Sequence, residues 1–163
     1  MFRSSTSLAN NFCPLKWALG IHQGSVFIMD LEVSFDKRIE ELEVINLYKA
    51  NSWSSAEKPK ELLAALKNSH SLVTAREGGV LIGIGNAISD GHLVVYYPHM
   101  LVHPDFHGKG VGRKMMETFR LKYGNFHQQM LTADGEAIEF YKSLGFERAG
   151  QTAPMWIYAG TEH

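Results

Sequence analysis

The amino-acid sequence predicts a single mixed α/β domain, on three observations. Its centre, Leu72 to His103, is β-rich and broken by glycine turns; helical apolar stripes stand on both sides of that centre; and a glycine-rich segment, His107 to Gly112, joins the last central strand to a helix. At 163 residues the chain matches the size of one domain with one core.

Taken in order, Leu31 to Phe35 alternates apolar and polar residues, as an edge strand does, before the charged Asp36-Lys37-Arg38. Ile39, Leu42, Ile45 and Tyr48, widened by Val44 and Leu47, predict a helix that Ser52 to Ser55 interrupts. Ser54 and Glu57 have capping-box spacing, Pro59 suits a first turn, and Leu62, Leu63 and Leu66 make one face of a second helix ending at Asn68 and Ser69. Leu72 to Arg76, Val80 to Ser89 and His92 to His103 predict an antiparallel meander turning at Glu77-Gly78-Gly79 and Asp90-Gly91. Val111, Met115, Met116, Phe119 and Tyr123 predict a third helix stopped by Gly124. His127 to Ala133 reads as a strand, Asp134 as the cap of a helix holding Ala137, Tyr141 and Leu144 and ended by Gly145, and Pro154 to Tyr158 as a last strand.

Composition narrows the function classes. Sixteen Lys and Arg against 17 Asp and Glu give no reason to expect a nucleic-acid or membrane partner, and no stretch approaches the ~20 apolar residues of a membrane span. The single cysteine, Cys13, forbids an intrachain disulfide, so the expectation is a cytoplasmic protein. Residues 1–28 lack the continuous apolar run of a signal peptide and read as an N-terminal extension that can carry an extra strand. Residues 29–163 then form the one domain, and Met29 is an alternative start.

The chemistry concentrates in Leu101-Val102-His103-Pro104-Asp105-Phe106-His107-Gly108-Lys109-Gly110-Val111-Gly112-Arg113. Glycines let the backbone turn and approach a ligand, and the helix start that follows offers unpaired N–H groups and a positive dipole end, which suits a pyrophosphate. A Walker loop is excluded because Lys109 precedes Gly110 rather than Ser or Thr, and a dinucleotide fold because the loop follows an antiparallel meander. A plain strand-to-helix connector stays open on these residues alone.

His107-Gly108-Lys109-Gly110-Val111-Gly112 resembles the coenzyme loop of the GNAT superfamily of N-acetyltransferases. Leu101-Val102-His103-Pro104 is similar to the strand entering that loop, and Glu136-Ala137-Ile138-Glu139-Phe140-Tyr141-Lys142-Ser143-Leu144-Gly145-Phe146 to the family's later helix. The resemblance covers Leu31 to Tyr158. It implies a mostly antiparallel mixed sheet splayed between its fourth and fifth strands, flanked by about four helices, with acetyl-CoA as cosubstrate and no metal. It assigns Leu101, Val102 and His103 to pantetheine through the main chain, and Gly108, Lys109, Gly110, Val111, Gly112 and Arg113 to the pyrophosphate. Lys109 and Arg113 would otherwise be solvated cations. The sequence departs from the family at His107, where Gln or Arg is usual, and at Asp134, where Asn is frequent and an amide would contact the coenzyme.

By the same resemblance Tyr141 is the general acid for the departing thiolate, or else a packed tyrosine on its helical stripe. His99 stands where many relatives have a carboxylate, and a neutral imidazole there can accept the amine's proton. His99, His103 and His107 could suggest a metal site, but Pro98 and Pro104 disfavour a helix, and a strand spaces the first pair by about 13 Å. Trp53, Tyr96, Tyr97, Trp156 and Tyr158 suggest a small amine with an apolar body; their other reading is core or homodimer packing. The function expected is acetyl transfer from acetyl-CoA to a small-molecule amine by direct attack, the alternatives being a coenzyme-A-binding sensor and a metal-dependent hydrolase.

Overall fold

The computed structural model describes residues 30–158. The 1–28 extension and Met29 lie outside the described residues. Among the described residues five strands, β1 (Leu31–Phe35), β2 (Ser71–Glu77), β3 (Val80–Ser89), β4 (Val94–Val102) and β5 (Gln128–Leu131), form one sheet in chain order, with four α-helices: α1 (Glu41–Ala50), α2 (Pro59–Asn68), α3 (Val111–Tyr123) and α4 (Ala137–Lys142). The first four strands pair antiparallel, while β5 runs parallel to β4. This is the mixed, mostly antiparallel architecture expected.

Two apolar layers sandwich the sheet. On one face Val44, Leu47 and Tyr48 of α1 and Leu62 and Leu66 of α2 cover Leu72, Ile84 and Leu101. On the other, Met115, Met116 and Phe119 of α3 and Tyr141 of α4 cover Val73, Ala75, Val95 and Tyr97. Helix α3 lies close because β3 carries Gly85 beneath it: a Cβ there would sit 3.1 Å from the Phe119 ring, so any side chain would force the layers apart.

Element boundaries differ from expectation where local hydrogen bonding decides them. Ser54–Glu57 is a separate 3₁₀ turn rather than the start of the second helix, and α2 begins at Pro59 with Lys58 as its cap. A capping box does form, but on α1, where Glu43 reaches back to the Glu40 N–H at 3.0 Å. Strand β4 begins at Val94, not His92, because the Asp90 carboxylate accepts the N–H groups of His92, Leu93 and Val94. Those three donors hold the Asp90 carboxyl down at about 2.

Strand β5 is shorter than His127 to Ala133, pairing with Val94 to Tyr97 alone. Asp134 does not cap α4 with its side chain; Glu136 is the N-cap, and the Asp134 carbonyl accepts the Ala137 N–H at 3.1 Å. Pro154 to Tyr158 is no strand among the described residues. It joins no ladder, and Met155 and Ile157 are 91% and 105% exposed, so its β-forming side chains have no sheet face to pack on.

Candidate functional site

The sheet opens between β4 and β5, and a β-bulge causes the opening. Tyr96 pairs with Ile88 and His99 with Asn86, so Tyr97 and Pro98 together oppose Ala87. Pairing of β4 with β5 ends at Tyr97 and Leu131, and Pro98 has no N–H with which to continue it. Beyond it, Pro98 to Val102 has no strand on its outer side among the described residues.

The bulge also decides which main-chain groups face the opening. His103 donates its N–H to the Ile82 carbonyl at 2.8 Å, and ladder positions alternate, so Leu101 and His103 turn their backbone toward β3. Met100 and Val102 turn theirs toward the gap. Of the three residues expected along pantetheine, the gap receives Val102, joined by Met100. The Val102 carbonyl is met from that side by the His107 ring, Nε2 to oxygen 2.8 Å, and His103 Nδ1 accepts the Asp105 N–H at 3.3 Å.

The glycine loop delivers the start of α3 to the same opening. Gly108 and Gly110 have φ of +73° and +81°, conformations in which an L side chain is strained. Gly110 is the N-cap and has no side chain to satisfy the first turn; the α-helical pattern begins with Lys114 N–H to the Gly110 carbonyl at 3.1 Å. The N–H groups of Val111, Gly112 and Arg113 are thereby left for an anion. Gly112 draws three elements together, since a Cβ on it would stand 3.2 Å from Phe140 of α4 and 3.8 Å from Val102 of β4. Lys109 lies 4.8 Å from the Phe106 ring, and Arg113 donates to Ser143 Oγ at 2.9 Å, tying α3 to α4.

Tyr141 is 9% exposed, its ring packed edge-on against Phe140 and Phe146. Among the described residues Glu77 Oε2 is the side-chain polar atom left buried without a partner, so the Tyr141 hydroxyl, which bonds no protein group, reaches solvent. Burial pushes its pKa up to about 12, which keeps the O–H on the ring at neutral pH.

His99 lies on the opposite face of the sheet, in an aromatic nest. Its Nδ1 is 2.7 Å from the Tyr48 hydroxyl, and its ring centroid is 5.6 Å from Tyr48 and 5.2 Å from Trp53. Its backbone N–H goes to Asn86 Oδ1 at 3.1 Å, the side chain standing in for a ladder carbonyl at the bulge, and Asn86 Nδ2 goes on to Ser69 Oγ at 2.8 Å. Burial lowers the His99 pKa to about 4, so the imidazole is neutral around pH 7. Tyr158 reaches the same corner, its hydroxyl 2.8 Å from Ser54 Oγ with Trp156 stacked on its ring. His103 and His107 have separate partners from His99, and among the described residues no group of three His, Cys, Asp or Glu is placed to hold a metal ion.

Sequence reasoning missed Tyr48 and Asn86. Tyr48 was legible only as part of an apolar stripe; Asn86, a polar residue inside the run Ile84-Gly85-Asn86-Ala87, was the available signal.

A family model described as an acetyltransferase (GNAT) domain matches residues 67–148. An uncharacterised N-acetyltransferase from Porphyra purpurea is 30% identical over 155 residues, covering 89% of this chain and 87% of that protein. A counterpart from Gracilaria tenuistipitata var. liui is 37% identical over 68 residues, 40% of this chain but 37% of its own length. In fold, the chain superposes on a GNAT-family acetyltransferase from Streptococcus pneumoniae TIGR4 with TM-score 0.70 at 24% identity, covering 79% of this chain and 98% of the other. An aminoglycoside N-acetyltransferase solved in complex with CoA superposes with TM-score 0.61 at 16% identity, over 85% and 97% of the two chains.

Proposed function

Because this chain belongs to the GNAT acetyltransferases, we propose that it moves an acetyl group from acetyl-CoA to the amine of a small molecule by direct attack while both substrates are bound. The observation that carries this reading is the gap opened at the β4 bulge directly beside the uncapped start of α3. An extended pantetheine chain completes β4 through the outward main-chain groups of Met100 and the Val102 N–H, the Val102 carbonyl being already met by the His107 ring. Its pyrophosphate meets the N–H groups between Gly108 and Arg113. Asp134 and Gly135 follow the end of β5 at Leu131 in the chain.

Two side chains serve the reaction from opposite faces. The amine attacks the thioester carbon; the tetrahedral intermediate collapses, the carbon–sulfur bond breaks, and the amine's proton is lost as sulfur gains one. Tyr141 supplies a protonated hydroxyl for the departing sulfur and recovers its proton from solvent. For His99, proton acceptance asks for a basicity near the working pH; a ring held near 4 fits better as a neutral hydrogen-bonding group, with the amine entering already neutral or losing its proton to water. Trp53 and the Trp156–Tyr158 pair support an acceptor with an apolar body.

The test is release of CoA thiol from acetyl-CoA against a panel of aralkylamines, polyamines, amino sugars and peptide amines, together with acetyl-CoA stabilisation of the fold. Gly110→Asp places a side chain and a negative charge where phosphate must approach, and should abolish the stabilisation. A folded Gly110→Asp protein of unchanged coenzyme affinity removes the pyrophosphate from this loop. Coenzyme binding without thiol release against any amine would favour a sensor.

A further inference from the structure

Tyr48 is fully buried, 0% exposed, and its hydroxyl makes one hydrogen bond among the described residues, to His99 Nδ1 at 2.7 Å. A neutral imidazole carries one hydrogen, so this contact has two forms. If Nδ1 carried the hydrogen, it would donate to the phenol oxygen, and the phenol O–H would be left in the dry interior with nothing to accept it. A buried donor without an acceptor disfavours that arrangement by roughly five- to a hundredfold. If the phenol donates to a bare Nδ1, only lone pairs go unfilled, and the ring hydrogen sits on Nε2. That atom has no hydrogen bond to the described protein and is not sealed, so it meets solvent.

We infer that Tyr48 is a positioning residue which fixes the tautomer of His99, so that His99 presents Nε2–H as a hydrogen-bond donor to the reacting groups rather than a basic nitrogen. A fixed donor there stabilises oxygen that gains negative charge when an amine attacks the thioester. No proton leaves His99 in this role. The assignment deepens the acetyl-transfer reading and rests on it for its chemical consequence, but the tautomer itself does not depend on turnover. Of the groups packed around the ring, Tyr48 from α1 is titratable, while Trp53 from the loop after it and Asn86 from β3 are uncharged. Burial, the cause of the lowered basicity of His99, acts in the same direction by keeping the ring neutral.

The experiment is long-range ¹H–¹⁵N NMR of the full chain labelled at histidine, with the His99 signals identified by their loss in His99→Gln. At pH 7 the wild type should show Nε2 as the protonated nitrogen and Nδ1 as the bare one. Tyr48→Phe keeps the ring packing and should shift His99 to a mixture of both forms. A wild-type spectrum with the hydrogen on Nδ1, or an identical spectrum in Tyr48→Phe, overturns the assignment.

Kinetics then separate donor from base. Glutamine can accept from Tyr48 through its carbonyl and still donate through its amide, so His99→Gln should exceed His99→Leu in kcat by about tenfold. Tyr48→Phe should lower kcat several-fold with KM for acetyl-CoA unchanged. Equal kcat in the Gln and Leu variants, or an unaltered kcat in Tyr48→Phe, sinks the donor role. If the wild type turns over no amine, it is the acetyl-transfer reading that falls, and the spectra still decide the tautomer.

Discussion

Replacing His99 by Gln should make the protein more resistant to acid, by an amount the burial of the ring sets. In the folded chain the His99 pKa is lowered from 6.5 to about 4, whereas in the unfolded chain the ring regains its ordinary value. As pH falls, the unfolded state therefore takes the proton first. The group's contribution is fully present above 6.5 and is lost as pH drops from there through 4. Integrated over that window, the loss is about 2 kcal/mol by pH 5 and about 3 kcal/mol by pH 4, at 1.36 kcal/mol per pKa unit.

Asp36, Glu43 and His70 also have lowered pKa values, through their bonds to Arg38 and Arg76 and through desolvation respectively, and they too favour unfolding in acid. They are common to both proteins and cancel in the difference. Urea unfolding followed by tryptophan fluorescence, run at pH 7.5, 6, 5 and 4.5, gives the stability of wild type and His99→Gln at each pH. The wild type should lose about 2 kcal/mol more than the variant between pH 7.5 and 5. Curves that stay parallel within about 0.5 kcal/mol would refute a buried, neutral His99, and with it the reason for denying the ring a role as base.

Tyr141→Phe should cut kcat by roughly a hundredfold, in the range of general acid catalysis, with the Kd for acetyl-CoA changed less than about twofold, as measured by calorimetry and stopped-assay turnover; because burial pushes the Tyr141 hydroxyl up to about 12, wild-type kcat should show no decline between pH 7 and 10 that the Phe variant lacks. Asn86→Ala should destabilise the fold by about 1–3 kcal/mol in denaturant, since it strips the acceptor from the part-buried His99 N–H and leaves the bulge backbone unsatisfied.

Where pattern and local chemistry agreed, the sequence was a sufficient guide. Glycine at 108 and 110 and the stripe from Val111 to Tyr123 located the glycine loop and α3, because a positive φ and a 3.6-residue period each leave a direct mark on residue choice. The β4 bulge left almost none. Simple alternation places Tyr97, His99 and Leu101 on one face, and nothing but Pro98 hints that a residue is inserted there. The partners of His99 were equally hidden, because they are 51 and 13 residues away in the chain and meet it only through the sheet and α1. Pro154 to Tyr158 misled for the opposite reason: β-forming side chains predict a strand only if a neighbouring edge exists to pair with.

That one inserted residue accounts for the division of labour across the opening. Before the bulge, Val95 and Tyr97 face the α3 layer; after it, Leu101 packs in the α1 layer, Met100 and Val102 pack toward α3, and His99 meets Tyr48 of α1. A slip of one residue exchanges the faces of every side chain beyond it, and it exchanges the directions of the backbone groups as well. Without it, Leu101 would turn its N–H and carbonyl to the gap, and His99 would lie on the same face as Tyr141. With it, Met100 and Val102 turn their main chain to the gap while His99 and Tyr141 stand on opposite sides of the sheet. On the proposed acetyl transfer, an amine would approach the acetyl carbon from the His99 side and sulfur would leave toward Tyr141. His99 and Tyr141 are separated by the strand itself, so in that reaction the incoming nucleophile and the outgoing thiolate would not compete for the same space.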